Sequence, residues 1–332
     1  MVVIRLQEGL RTDMSRPLFV TGLPRSGTTF TSKILSQPSN VFNIGEPFLH
    51  RVGTSHLFPY YRTRNEAGVR YDELLRSILE YEKILQYRTK QFEWSVGGLR
   101  RFLLGSHGTL EYIRAWLNTK VREGDGHLLI KEPHGLLLTL PAVRKLDCRV
   151  LVMVRHPAGQ VSSCLSLSWT RRHDRPVSLL DQPRLVEDHL GWLPDLLDTT
   201  TRTVVEDLGL MWRALYDVFF DYLEALDDTD KVQVIRHEDL CLSPYHKFSN
   251  LYDWADLPWS SKVERKIDKL TNSENPSERS DATAPHQHDL HRDSASLPTI
   301  WTSRLQPRQI QDLQAITAPV SSRLYDDADW SP

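Results

Sequence analysis

A chain of 332 residues, 40% of them hydrophobic, can bury a full core as one large α/β domain or two modest ones. Its net charge of -2 gives no bulk attraction to nucleic acid or to an anionic membrane surface. Three cysteines, Cys148, Cys164 and Cys241, are odd in number and far apart, which excludes a disulfide framework and a cysteine metal site. They read as reduced thiols in a reducing compartment. The opening "MVVIRLQEGLRTDMSR" has too short an apolar run for a signal peptide, and no later segment approaches ~18 apolar residues. The expectation is a soluble, cytoplasmic protein without a membrane span.

In chain order, the first predicted strand is "LFVTG" at 18–22, followed by a helix over Thr28 to Leu35. Further strands are predicted at 127–133, 149–155 and 232–236, with helices after the last two, from Pro157 to Leu167 and from Pro244 to Trp254. Short, continuous apolar runs alternating with helical patterns predict an α/β fold with a parallel sheet buried on both faces. Additional helices are expected at 71–90, 108–122, 203–226 and 307–325. Two blocks, 51–126 and 168–230, interrupt the alternation and are rich in Arg, Trp, Tyr and Leu. They are read as helical insertions shaping a substrate cleft on a single domain spanning 1–332. The stretch 271–298 has the polar, Pro/Ser-rich composition of a mobile lid.

Chemistry enters at "PLFVTGLPRSGTTFTSKIL", residues 17–35. A glycine-rich turn from strand to helix presents backbone N–H groups and the positive end of a helix dipole to an anion. The spacing of Gly22, Gly27 and Thr29 matches the Walker A loop, but Thr28 stands where that loop has its lysine. The lysine reaches the β- and γ-phosphates of a nucleoside triphosphate, so its absence argues for a ligand without a γ-phosphate. Arg25 supplies a forked donor for a tetrahedral anion. Two plain readings stand beside this one: the glycines make a tight turn and nothing more, or the loop is that of a degenerate P-loop kinase or nucleotide hydrolase.

The residues Pro24, Arg25, Ser26, Gly27, Thr28 and Thr29, "PRSGTT" after a strand, resemble the 5′-phosphosulfate loop of the sulfotransferases that use PAPS (3′-phosphoadenosine 5′-phosphosulfate). A second segment, "LVMVRHPAGQVSS" at 151–163, resembles that family's 3′-phosphate motif, with Arg155 at a strand end and Ser163 eight residues on. "VIRHEDLCLSP" at 234–244 resembles its strand-plus-"YEDL" segment, with His237 in place of the usual tyrosine. "HRDSASLPTIWTSRLQPRQI" at 291–310 resembles the segment that closes over the nucleotide, where His291 or Arg292 would reach the adenosine-side phosphate. The resemblance implies a P-loop-type sheet, PAPS as donor, PAP (adenosine 3′,5′-bisphosphate) as product, no metal, and a hydroxyl-bearing acceptor. That acceptor can be a carbohydrate, a peptide tyrosine, a lipid or a small natural product.

Sulfuryl transfer needs a base for the acceptor proton, donors for the moving charge and an in-line leaving group. Glu46 in "NIGEPFLH" returns toward the strand ends after the first helix, and "Gly45-Glu46" looks like the "GE" whose glutamate is the base in tyrosylprotein sulfotransferases. Lys131 in "LLIKEPHG" sits at the end of a predicted strand and is similar to the "KDP" lysine of the same branch, which stabilises the transferring group. His134 is the alternative base, because the sulfotransferases of small phenols and steroids draw a histidine from a similar region. Without the resemblance, Glu46 also fits a helix N-terminus and Lys131 a solvent-reaching strand end.

Overall fold

The computed structural model describes residues 16–46, 126–168, 176–198, 202–277 and 290–331. The helices expected at 71–90 and 108–122 lie outside them. The described elements, in chain order, are β1 (Leu18–Gly22), α1 (Thr28–Leu35), β2 (Val41–Gly45), β3 (His127–Lys131), α2 (Thr139–Leu146), β4 (Arg149–Val154) and α3 (Pro157–Leu165). They continue with α4 (Pro183–His189), α5 (Leu193–Asp198), α6 (Val204–Glu224), β5 (Val232–Arg236), α7 (His237–Leu242), α8 (Pro244–Trp254), α9 (Ser261–Thr271) and α10 (Pro307–Ser321).

The five strands form one parallel sheet in the order β2-β3-β1-β4-β5. Four of them are the predicted ones. The fifth, β2, is the edge strand "VFNIG", whose central Asn43 breaks the apolar run that marks the others. Every residue of β1 is buried, and the period of two along a strand splits them between two cores. Phe19, Ile130, Val150 and Val152 face Leu136, Leu137 and the α6 side chains Trp212, Leu215, Tyr216 and Phe219. Leu18, Val20, Leu129, Leu151 and Met153 face α1, α8 and α9 through Ile34, Phe248, Leu251, Val263 and Ile267. A sheet covered on both faces needs continuously apolar strands, which is why these runs are visible in the sequence.

The block 168–230, read as an insertion, contains α6, which is part of the body of the fold. Its N-terminus carries a full capping box: Glu206 N–H donates to Thr203 Oγ1 at 3.3 Å, and Thr203 N–H donates to Glu206 Oε2 at 2.6 Å. Trp212, Tyr216 and Phe219 on this helix are all fully buried. Tyr216 does more than fill space. Its hydroxyl donates to the Met153 carbonyl at 2.9 Å and accepts the Leu23 N–H at 3.4 Å, joining β4 to the start of the loop after β1. Tyr216→Phe keeps the ring and loses both bonds, which should cost about 1–3 kcal/mol. A urea midpoint equal to the wild type would show that the hydroxyl holds nothing.

Chain order and strand order fix where a ligand can sit. The chain enters the sheet at its central strand β1, goes out to the edge at β2, returns through β3 to the side of β1, and then crosses to β4 and β5. That reversal beside β1 leaves a crevice at the carboxyl ends of the strands, where open α/β sheets bind ligands.

Candidate active site

Along that carboxyl edge the chain places, in sheet order, Glu46 after β2, Lys131 at the end of β3, the loop 23–27 after β1, Arg155 after β4 and His237 after β5. The loop needs its glycines. Gly22 has φ +141°, and a Cβ there would lie 2.2 Å from the Met153 carbonyl oxygen. Gly27 has φ +92°, and a Cβ would meet the His237 ring carbon Cδ2 at 2.4 Å. Both positions therefore exclude any side chain, sterically and conformationally. Gly27 is also the N-cap of α1, and no side chain caps that helix end. Such an end suits a bound anion. Ser26 and Thr28 are buried and Pro24 is buried beneath the turn.

Arg25 adopts φ 74°, in the left-handed region that non-glycine residues avoid. Its Nε donates to Ser163 Oγ at 3.0 Å, so the loop after β1 and the serine of the second motif meet directly. Arg155 Nη1 donates to the Arg25 carbonyl at 3.1 Å. Arg155 and Ser163 are both buried, at 7% and 5% exposure. Burial pulls the Arg155 guanidinium below the ordinary arginine range, and the nearby Glu238 carboxylate opposes that pull. The backbone of Arg155 is held too, with its carbonyl accepting from Trp212 Nε1 at 3.0 Å.

On the other side of the loop, Lys131 Nζ donates to Thr29 Oγ1 at 3.3 Å and forms an ion pair with Glu46 Oε1. The lysine missing from position 28 thus has a counterpart arriving from β3. Both partners of the pair are largely buried, with side chains 4% and 13% exposed. Glu46 has φ 50°, another left-handed non-glycine, and its N–H donates to the Lys131 carbonyl at 2.6 Å. A strained backbone held by several contacts is typical of a functional position.

His134 lies just beyond, with its N–H and Nδ1 at 3.2 and 3.3 Å from Glu132 Oε1. Glu132 was not singled out by the sequence. It is fully buried, its N–H donates to the Val20 carbonyl and its own carbonyl accepts from Thr21 Oγ1 at 2.8 Å. His237 is buried behind Gly27, 3.5 Å from Cys241 Sγ through Nδ1. Burial, then the Arg155 and Arg25 cations, hold its pKa well below the usual histidine value. It therefore backs the loop as a neutral ring.

Arg292 N–H donates to the Leu270 carbonyl at 3.2 Å and its Nη1 to the Ser277 carbonyl at 3.4 Å. Two residues on, Ser294 Oγ donates to the Cys241 carbonyl at 2.9 Å, tying this segment to α7 one turn from His237. Of the lid expected at 271–298, residues 278–289 lie outside the described residues, and both flanks are anchored by these bonds. No described helix is long and apolar enough to cross a membrane. Among the described residues no group of three or more His, Cys, Asp or Glu side chains stands close enough to hold a metal ion.

The chain is similar to several known proteins. An uncharacterized protein of Aquifex aeolicus is 34% identical over 91 residues, a stretch that is 27% of this chain and 11% of that protein. The sulfotransferase domain from the curacin biosynthetic pathway aligns over 95% of this chain and 99% of its own, at 15% identity and a TM-score of 0.48. A mouse sulfotransferase complexed with PAP aligns over 95% of this chain and 86% of its own, at 11% identity and a TM-score of 0.45. A model described as the sulfotransferase family matches residues 17–261, a span holding the loop, Glu46, Lys131, the Arg155–Ser163 motif and all five strands. The chain belongs to the sulfotransferase family.

Proposed function

We propose that this protein moves a sulfuryl group from PAPS to a hydroxyl of an acceptor by in-line displacement. The observation that carries the reading is the contact between the two motifs. Arg25 of the loop and Ser163 of the Arg155 motif share a hydrogen bond of 3.0 Å, so donors for two phosphate groups converge on one crevice. The donor set fits such a ligand: an uncapped helix end at Gly27, the Arg25 fork, Thr28 and Thr29 for the 5′ side, and Arg155 with Ser163 for the 3′ side. His237 supports the loop from behind, and Arg292, in the segment that resembles the closing one, is the contact on the adenosine side in this reading.

In this reading the proton of the acceptor hydroxyl passes to the Glu46 carboxylate as the acceptor oxygen forms its bond to sulfur. The bond from sulfur to the 5′-phosphate oxygen breaks in the same step, and its electron pair leaves with PAP. Lys131, which contacts Thr29 and Glu46, would donate to that oxygen as charge builds on it. Arg25 and the first turn of α1 hold the leaving group in line. No metal takes part. One observation favours a second reading of the base: Glu132 against Nδ1 of His134 would fix a tautomer whose Nε2 accepts a proton. The segments carrying Glu46 and Lys131 resemble those of the tyrosylprotein branch, and the acceptor is a hydroxyl of carbohydrate, tyrosine, lipid or a small natural product.

Radiolabelled PAPS offered with a panel of hydroxyl acceptors tests the reaction. Binding is tested separately. PAP should raise the melting temperature and Mg-ATP should not, which separates this reading from a degenerate kinase or hydrolase. Arg25→Ala and Arg155→Ala should each weaken PAP by on the order of 1.5–3 kcal/mol, the worth of a hydrogen bond to a charged group. Calorimetry showing wild-type affinity in both variants, or an obligatory requirement for Mg²⁺, would sink the assignment.

A further inference from the structure

The 5′ and 3′ phosphate motifs follow different strands, β1 and β4, so their relative position depends on cross-contacts. Two of those contacts use residues already assigned to phosphates, Arg25 and Arg155. The third does not. Gln160, on α3 one turn before Ser163, donates from Nε2 to the Pro24 carbonyl at 3.1 Å. Gln160 is 5% exposed.

The location of this bond matters. The peptide plane between Pro24 and Arg25 carries the carbonyl that Gln160 holds, and rotating that plane changes the φ of Arg25. The next plane carries the Arg25 carbonyl, held by Arg155 at 3.1 Å. Both planes flanking Arg25 are thus pinned from the β4–α3 side. This is how a non-glycine residue stays at φ 74°, a conformation that has to be over-determined by its surroundings.

We propose that Gln160 is a positioning residue that sets the register between the 5′- and 3′-phosphate subsites, and so makes the site selective for a nucleotide carrying both groups. The inference rests on the PAPS reading above. Its logic is geometric. A ligand with one phosphate settles on its own motif wherever the other lies. A ligand with both phosphates at a fixed separation gains only if the two motifs are already aligned, which is preorganisation.

The test compares PAP with adenosine 5′-monophosphate and adenosine 3′-monophosphate by calorimetry, on the wild type and Gln160→Met. Methionine keeps the volume and loses the amide. PAP should bind about 10-fold more weakly, a coupling of the size found between contacting residues. Each monophosphate should change by less than about 2-fold. Unchanged PAP affinity overturns the proposal. So does parallel weakening of all three ligands, which would mean only that the loop has loosened. If Gln160→Met does not fold, Gln160→Asn, one methylene too short to reach Pro24, is judged by the same criteria. A wild type that binds PAP no better than the monophosphates would remove the PAPS reading and this proposal together. Selective binding by the wild type with either overturning result in the variants removes the proposal alone.

Discussion

Replacing Glu46 by glutamine is expected to lower turnover by about 10²–10⁴-fold, the usual cost of losing a general base. The affinity for PAP should hardly move. Glutamine has nearly the same shape, so the left-handed turn at Glu46 and its N–H bond to the Lys131 carbonyl survive. What disappears is the negative charge that pairs with Lys131 and that the proposed function makes the proton acceptor. That pairing has a consequence for the chemistry. A carboxylate bound to an ammonium group is a poor base, and an ammonium group bound to a carboxylate is a poor donor to anything else. In the proposed reaction the pair therefore has to separate as the acceptor hydroxyl comes in, Lys131 turning to the leaving oxygen and Glu46 to the proton. Lys131→Ala should lower turnover as well, while freeing Glu46 from its partner. His134→Ala, assayed beside them with one accepted hydroxyl substrate, decides between the two bases. Near-normal turnover in Glu46→Gln with collapse in His134→Ala would transfer the base to His134 and give Glu132 the task of orienting it.

The parts of this site that could be read from the sequence are those set by local rules. Gly22 and Gly27 announce a loop because only glycine tolerates their φ and their neighbours. β1, β3, β4 and β5 announce themselves because burial on both faces demands unbroken apolar runs. Arg155 and Lys131 stand at strand ends, so a correct strand prediction places them on the ligand edge at once. The parts that escaped depend on what folds against what. β2 is short, sits at the edge and carries Asn43 in its middle. Helix α6 is where a helix is expected, at 203–226, and Thr203 and Glu206 spell its capping box, but its place in the body of the fold is not visible from a block that reads as an insertion. α2 and α9 were not foreseen: α9 is a mostly polar helix whose buried stripe of Val263, Ile267 and Leu270 is narrow. Glu132, Gln160, Tyr216 and Glu238 gain their roles only through partners more than one element away, at Val20, Pro24, Met153 and His156 respectively. No spacing in the sequence could have shown those pairings, because each is created by the order of strands in the sheet.

Stability is expected to fall as the pH drops from about 6.5 toward 3, and His156 should be a main cause. Its ring stacks on Trp301 at 5.0 Å with an interplanar angle of 10°, and meets Trp330 and Tyr325 edge-on at 4.2 and 4.9 Å. Neither ring nitrogen has a hydrogen-bond partner among the described residues. Burial first, and then the Arg155 and Arg236 cations, push its pKa down from the ordinary 6.5 to about 3. A depressed histidine pKa means that the unfolded chain takes up a proton before the folded one does. The contribution to stability is therefore complete above about 6.5 and is lost as the pH falls to about 3. At about 1.4 kcal/mol per pH unit, the loss has an upper bound of roughly 5 kcal/mol for this one ring. His237, also held low by burial and by Arg155 and Arg25, acts in the same direction. Glu238 acts against them. It accepts the His156 N–H at 3.0 Å and the Tyr325 hydroxyl at 3.1 Å, and burial raises its pKa above the usual carboxylate value. Its stabilising contribution is thus present in acid and lost as the pH rises through its folded pKa, which softens the acid end of the profile. The comparison that isolates His156 is the urea midpoint of the wild type and of His156→Phe between about pH 7 and pH 4. Phenylalanine keeps the ring packed among Trp301, Tyr325 and Trp330 and has nothing to protonate. The variant should lose clearly less stability over that range, and at neutral pH it should be at least as stable as the wild type, since two buried nitrogens without partners are gone. Two parallel curves would place the acid sensitivity elsewhere in the chain.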